Sequence, residues 1–239
     1  MKISPTLTEV KEIAKTGKYD ILPVSCEILS DFITPIEAMR ILQNVSTHCY
    51  LLESAQANEA WGRYTFLGYD PKLEINCIDG HMKLGKLSVE TENPSEYIRQ
   101  ILSEYKSPKF DYLPSFTGGL VGYFSYDYLG YKEKSIRGKA RDTEDFKDVD
   151  LMLFDKVIAF DNLCQKIILI ANMSLDAPET GYNKAIVELK QLRELLMHGE
   201  KKQNMGGKLL GEVTPLFEKE QYCDCLLYTS PSPRDVEES

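Results

Sequence analysis

What this chain has little of narrows its possibilities first. No apolar run approaches the roughly 18 to 20 residues that cross a bilayer, and residues 1–18 contain neither an apolar core nor a small-residue cleavage signal. Membrane spans and secretory leaders are thereby set aside, and the expected location is the cytoplasm. Basic residues are the minority: 28 Lys and Arg face 37 Asp and Glu, for a formal net charge of −9. Such a balance opposes binding to a phosphate backbone or an anionic bilayer, so neither nucleic acid nor membrane is expected as a partner.

Histidine and patterned cysteine are scarce too. His48, His81 and His198 show no mutual spacing for a metal site or proton relay, and no GxSxG nucleophile motif occurs. Cys26, Cys49, Cys77, Cys164, Cys223 and Cys225 are scattered, and only one residue separates the last two where paired metal ligands need two. They are expected to be reduced thiols, mostly filling core. These residues assemble no catalytic constellation and no metal site.

What is present is an ordinary globular composition, 43% hydrophobic and 27% charged over 239 residues, enough for one large core or two small ones. Residues 8–15 have helical spacing with Val10, Ile13 and Ala14 on one face and Gly17 placed to end it; residues 20–29 then look extended. Thr34, Pro35, Ile36 and Glu37 combine a capping hydroxyl, a proline at the first helical position and a glutamate that returns to the cap amide. They predict a helix over 35–45 that buries Ile36, Met39, Ile41 and Leu42. Asn93, Pro94, Ser95 and Glu96 repeat the grammar and predict a second helix over 94–105, with Tyr97, Ile98, Ile101, Leu102 and Tyr105 as its apolar stripe.

Between these helices, residues 49–54, 63–69, 72–78 and 82–87 are rich in β-branched and aromatic side chains, and Asp79 with Gly80 joins the last two as a hairpin. Residues 151–160 and 166–171 suggest another hairpin around Asp161 and Asn162, its second strand apolar throughout and therefore covered on both faces. Pro178 opens a helix through about residue 197 with Ile186, Leu189, Leu192, Leu195 and Leu196 facing inward. Strands interrupted by solitary helices, without regular alternation, predict an α+β fold with mostly antiparallel sheets and flanking helices.

Residues 198–211, rich in lysine and glycine, form a flexible linker or loop. The expected organisation is a domain over 1–205, a linker and the start of a second domain over 206–224, and a foreign tail over 225–239. Residues 216–224 begin a helix-like pattern with Thr214 as its cap, and the character then changes abruptly at Cys225. The eleven residues from Cys225 to Asp235 resemble the translated read-through of a transposase adapter from sequencing libraries, so the natural sequence is expected to stop informing at Asp224.

Two segments carry chemistry. Leu51, Leu52, Glu53 and Ser54 form an apolar strand that delivers an acid and an alcohol to its end, where binding groups commonly emerge. The carboxylate can receive a ligand ammonium, and the hydroxyl or a nearby amide can bond a ligand carboxylate; two solvated polar residues at a strand end are the ordinary alternative. Gly118, Gly119 and Gly122 lack the spacing of a dinucleotide loop and any phosphate-binding lysine, which favours close backbone packing. Arg63, in an alternating strand, is assigned a structural, salt-bridged role.

Taken with Trp61, Gly62, Arg63, Tyr64, Thr65, Phe66, Leu67 and Gly68, with Asp31, Thr34 and Pro35 upstream, and with Pro114 through Tyr123, Tyr126 and Asp127 downstream, this strand end resembles the N-terminal region of anthranilate synthase component I over roughly residues 5 to 224. The resemblance implies that Ser54 first, then Glu53 and Leu52, and more weakly Pro23, line an allosteric tryptophan pocket. It implies a full-length enzyme that turns chorismate and ammonia into anthranilate and pyruvate, with Mg²⁺ bound in a C-terminal catalytic domain and the ammonia supplied by a glutaminase small subunit. No catalytic residue and no Mg²⁺ ligand is expected within this chain. The related aminodeoxychorismate synthase large subunit, and a free-standing non-catalytic amino-acid sensor, are the alternative readings.

Overall fold

Thr6 starts the first helix by a reciprocal bond: its hydroxyl accepts from the Glu9 amide while its own amide donates to the Glu9 carboxylate at 2.7 Å. Thr34 and Glu37 repeat the arrangement at the second helix, where Pro35 occupies the first turn. Thr6 and Glu9 carry the same sequence pattern as Thr34 and Glu37, so the helix expected over residues 8–15 begins one residue earlier, at Leu7, behind a capping box of its own.

The computed structural model describes residues 2–53, 62–133, 135, 146–202, 207 and 209–229. Its elements run β1 (Ile3–Ser4), α1 (Leu7–Lys15), β2 (Ile21–Leu29), α2 (Pro35–Val45), β3 (Cys49–Leu52), β4 (Tyr64–Tyr69), β5 (Leu73–Ile78), β6 (His81–Leu84), β7 (Leu87–Glu90) and α3 (Pro94–Ser103). They continue with β8 (Gly119–Phe124), a 3₁₀ turn (Tyr126–Tyr131), β9 (Val149–Phe154), β10 (Lys156–Asp161), β11 (Lys166–Ser174), α4 (Pro178–His198) and α5 (Lys219–Thr229). Every pairing between these strands is antiparallel, and the architecture is α+β.

Two sheets form the unit spanning Met1–Gln203. The first has strand order β1-β2-β11-β10-β4-β3, the second β7-β6-β5-β9-β8. One face of the six-stranded sheet, carrying Leu22, Val24, Leu67, Ile158, Ile167 and Leu169, packs under α1, α2 and α4. Its other face carries Val157, Ala159, Ile168 and Ile170 against Leu113, Phe110 and Phe116. β11 is therefore covered on both sides, as its unbroken apolar run predicts. The second sheet packs Ile75, Cys77, Met82, Val149 and Leu151 against Ile98 of α3, with Tyr128 and Tyr131 partly buried beside them.

Several expectations need correction. The strand expected over 151–160 divides at Asp155, with its first half in the second sheet and its second half in the first. An apolar run cannot signal such a transfer, because both halves are buried alike. The strand expected over 82–87 likewise divides at Gly85, whose φ of 59° turns β6 into β7. Ile36 is 59% exposed and Ala38 is buried in its place; Leu102 is exposed as well. Of the cysteines only Cys26 and Cys77 are buried, Cys49 is half-buried and three are exposed, so core filling accounts for the minority.

Of the three glycines expected to serve close packing, Gly118 and Gly122 do, whereas the nearest atom to a Cβ on Gly119 would be 4.0 Å away. A Cβ on Gly122 would lie 1.9 Å from the Asp150 carbonyl oxygen, and one on Gly118 would lie 2.5 Å from Asn172 Nδ2. The Asp79-Gly80 turn is present with both residues at positive φ, as a two-residue hairpin of this twist requires.

The unit from Asn204 to Ser239 contains α5, whose described side chains are exposed. That helix runs through Asp224 into the segment that resembles adapter; residues 230–239 of that segment lie outside the described residues.

Candidate functional site

Among the described residues β3 is an edge strand, paired with β4 alone through Cys49↔Tyr69, Tyr50↔Gly68, Leu51↔Leu67 and Leu52↔Phe66. Its alternation sends Cys49 and Leu51 toward the helices and Tyr50 and Leu52 to the opposite face. Leu52 is 46% exposed at the last paired position, and Glu53 follows it, exposed and without a described partner. Ser54, the leading candidate for ligand contact, and Trp61 lie outside the described residues.

Pro23 is buried in β2 opposite Asn172. Strand alternation puts it on the same face as Leu52, with β11, β10 and β4 between them, so the fold gives the two a common face without bringing them together. Among the described residues, three cavities lie away from this strand end. One of about 420 Å³ is bordered by Pro5, Ile13, Phe110 and Tyr112, one of about 330 Å³ by Lys2, Ser25 and Glu27, and one of about 380 Å³ by Asp79, His81 and Glu90.

Charge at this end of the sheet is largely committed. Arg63, just before β4, donates to both carboxylate oxygens of Asp161, at 3.1 and 2.7 Å, and its guanidinium lies 4.9 Å from the Tyr64 ring centroid. Asp161 has no exposed side-chain surface; burial alone would raise its pKa, but the Arg63 bond, the Cys164 amide and the Arg63 charge hold it at about 2. Lys166 pairs with Glu27 at 2.5 Å across β11 and β2. Arg63 is thus structural, as its strand position predicts, and Glu53 is left as a carboxylate that no described cation compensates. Each histidine has a nearby glutamate, Glu74 for His48, Glu90 for His81 and Glu194 for His198, and no two histidines share a site.

One residue of interest escapes the motif. Tyr50 is only 8% exposed, and its hydroxyl is buried with no hydrogen-bond partner among the described residues. The two-residue alternation already puts it on the face of Leu52. Its ring, however, packs over Gly68 and edge-on to Phe116 and Phe154, which come from distant parts of the chain.

An antiparallel α+β chain with an open acidic strand end is the class of protein that these features define. Residues 47–227 match the family described as chorismate binding enzyme, and the chain belongs to that family of enzymes. Anthranilate synthase component 1 of Acetivibrio thermocellus is 31% identical over 249 residues, covering 97% of this chain and 48% of the relative. The Pseudomonas aeruginosa protein of the same name is 36% identical over 196 residues, covering 79% of this chain and 39% of the relative. The chain therefore spans less than half the length of these relatives. A solved anthranilate synthase component I from Streptococcus pneumoniae superposes with a TM-score of 0.46 at 25% identity, over 70% of this chain and 36% of that one. No helix among the described residues is long and apolar enough to cross a membrane.

Proposed function

We propose that this chain is the N-terminal portion of a cytoplasmic anthranilate synthase large subunit. The complete subunit would convert chorismate and ammonia into anthranilate and pyruvate, the ammonia coming from glutamine through a glutaminase small subunit. Support comes from the family match and from two relatives of that name at 31% and 36% identity. Within this reading, Leu52, Glu53 and Ser54 form one side of a tryptophan site that inhibits the enzyme.

The observation that carries the regulatory assignment is the state of Glu53: exposed at the open end of an edge strand, with no described cation beside it. A carboxylate so placed accepts an ammonium group, while the half-exposed Leu52 offers an apolar wall. Inhibition requires tryptophan to bind an inactive arrangement more tightly than an active one, so contacts at this strand end must differ between the two. Among the described residues no three His, Cys, Asp or Glu side chains converge on a metal-sized site. The Mg²⁺ that the resemblance implies finds no donor set among them, and none of them is assigned a step through it.

The test is made on the complete gene product. Glu53→Gln and Ser54→Ala should each raise the tryptophan concentration for half-inhibition about tenfold, equivalent to about 1.4 kcal/mol of binding. Unaltered tryptophan inhibition in both variants would sink the regulatory assignment. Formation of the para isomer instead of anthranilate would move the protein to the aminodeoxychorismate branch.

A further inference from the structure

The cavity of about 420 Å³ bordered by Pro5, Ile13, Phe110 and Tyr112 has no part in the features assigned above. Its volume falls within the range that holds small organic ligands, and its walls are largely apolar. Phe110 and Tyr112 stack, with ring centroids 5.1 Å apart and planes 26° apart. Tyr112 is 46% exposed, its hydroxyl has no hydrogen-bond partner among the described residues, and it also borders the neighbouring cavity of about 330 Å³. Ser4 of β1 lines the larger cavity, and β1 and β3 are opposite edges of the six-stranded sheet, so the cavity is remote from the strand end that carries Glu53.

Charge gives the cavity a sign. Glu9 and Glu12, neighbours on the surface of α1, border it, and among the described residues no lysine or arginine does. The capping box fixes Glu9: its Oε2 accepts from the Thr6 amide at 2.7 Å and from the Thr6 hydroxyl at 2.8 Å, which keeps the carboxylate ionised, while its Oε1 has no partner among the described residues. Glu12 pairs with Lys15 at 2.7 Å, but both side chains are mostly exposed, and such a pair contributes little and opens readily. Burial, and then the charge of Glu9, push the Tyr112 phenol up to about 12, so its hydroxyl stays neutral beside these acids. A ligand ammonium in place of Lys15 would answer both carboxylates, whereas a ligand carboxylate would meet them without compensation. We propose that this cavity binds a small arylalkylamine that lacks a carboxylate. Its ammonium lies between Glu9 and Glu12, and its ring packs on Tyr112 and Phe110 against Pro5 and Ile13.

The experiment titrates the complete gene product calorimetrically with phenethylamine and with 2-phenylethanol, its uncharged counterpart. Because the strand-end site is a separate claim, each titration is run with and without saturating L-tryptophan. Phenethylamine should bind saturably, about tenfold or more tighter than the alcohol, and equally well in both conditions. The double variant Glu9→Gln with Glu12→Gln should lose about tenfold in amine affinity while alcohol affinity stays within about twofold. Glutamine at position 9 preserves the capping pattern, and the amine-to-alcohol ratio is internal to each protein, so partial unfolding cannot imitate that result. Tyr112→Ala, at a half-exposed position, should weaken both ligands about equally, by about tenfold. Absence of saturable amine binding overturns the proposal, as does an amine-to-alcohol ratio that the double variant leaves unchanged. Loss of amine binding in the presence of L-tryptophan overturns it too, because the amine would then occupy the strand-end site; unaltered tryptophan inhibition in the Glu53 and Ser54 variants would leave this cavity's assignment standing.

Discussion

Asn172 Nδ2 donates to the Thr117 carbonyl at 2.7 Å, tying the strand at the centre of the six-stranded sheet to the residue that leads into the edge strand of the other sheet. The same nitrogen donates to the Asp155 carbonyl at 3.0 Å, and so does the Asn172 backbone amide at 2.8 Å. Asp155 is where the chain leaves β9 for β10, so a single side chain secures the point at which the two sheets exchange strands. Gly118 permits this by leaving vacant the space its Cβ would take from Asn172.

Asn172→Ala should therefore cost about 1 to 3 kcal/mol, the typical penalty for leaving a part-buried carbonyl, here that of Thr117, without a donor, while Asp155 keeps the Asn172 backbone amide. Chemical denaturation measures it directly. A loss below a few tenths would mean that water replaces the amide at no expense.

β8 offers a graded test. Gly122→Ala must drive a Cβ into the Asp150 carbonyl 1.9 Å away, whereas at Gly119 the nearest atom is Phe116 Cε2 at 4.0 Å and only the backbone, at φ 133°, resists a side chain. Gly122→Ala should lose about 3 kcal/mol or more and Gly119→Ala about 1 to 2, because overpacking adds to strain at the first site only. Equal melting temperatures for the two variants would contradict the close approach of β8 and β9.

The Arg63–Asp161 pair predicts an acid dependence. Asp161 is held at about 2 in the fold, below its ordinary value of 3.8, so the pair contributes stability above about pH 4. That contribution is lost as pH falls from about 4 through about 2 and the buried carboxylate takes up a proton. Arg63→Met should cost about 2 kcal/mol at neutral pH, less than the 3 to 5 of a fully buried pair because the guanidinium is about a third exposed. It should also flatten the stability profile between pH 4 and 2; a profile parallel to wild type would show that Arg63 does not set the Asp161 proton affinity.

Tyr131 clamps the Asp79-Gly80 turn from outside. Its hydroxyl donates to Asp148 at 2.7 Å and accepts from the Gly80 amide at 2.7 Å, while Asp148 also accepts from the Asp79 amide at 2.9 Å. Tyr131→Phe should destabilise by about 1 to 3 kcal/mol, since the Gly80 amide and one Asp148 bond lose their partner together. Faster amide exchange at Gly80, with little change in β10 and β11, would localise the effect to that hairpin.

Much of this arrangement is legible locally. Thr34 through Glu37 announces α2 because cap, proline and returning glutamate lie within one turn, and Asp79-Gly80 announces a hairpin because few other pairs tolerate positive φ twice. At the candidate site, local reading reaches Leu52 and Glu53 and no further. Tyr50 looks like one more strand aromatic until its ring packs over Gly68 and against Phe116 and Phe154, and those partners lie between 18 and 104 residues away.

By itself, the order of residues determined where helices begin, which strands are buried on both faces, and that an acid emerges after an apolar strand. These depend on neighbours within a few positions, where backbone geometry and side-chain period act directly. Only the tertiary structure decided that residues 151–160 split between two sheets, that Asn172 locks their crossing, that Pro23 and Leu52 share a face across three intervening strands, and that the Tyr50 hydroxyl is enclosed without a partner among the described residues. Each of those outcomes is a contact between segments distant along the chain, and burial, unlike periodicity, is a property that no segment possesses until another covers it.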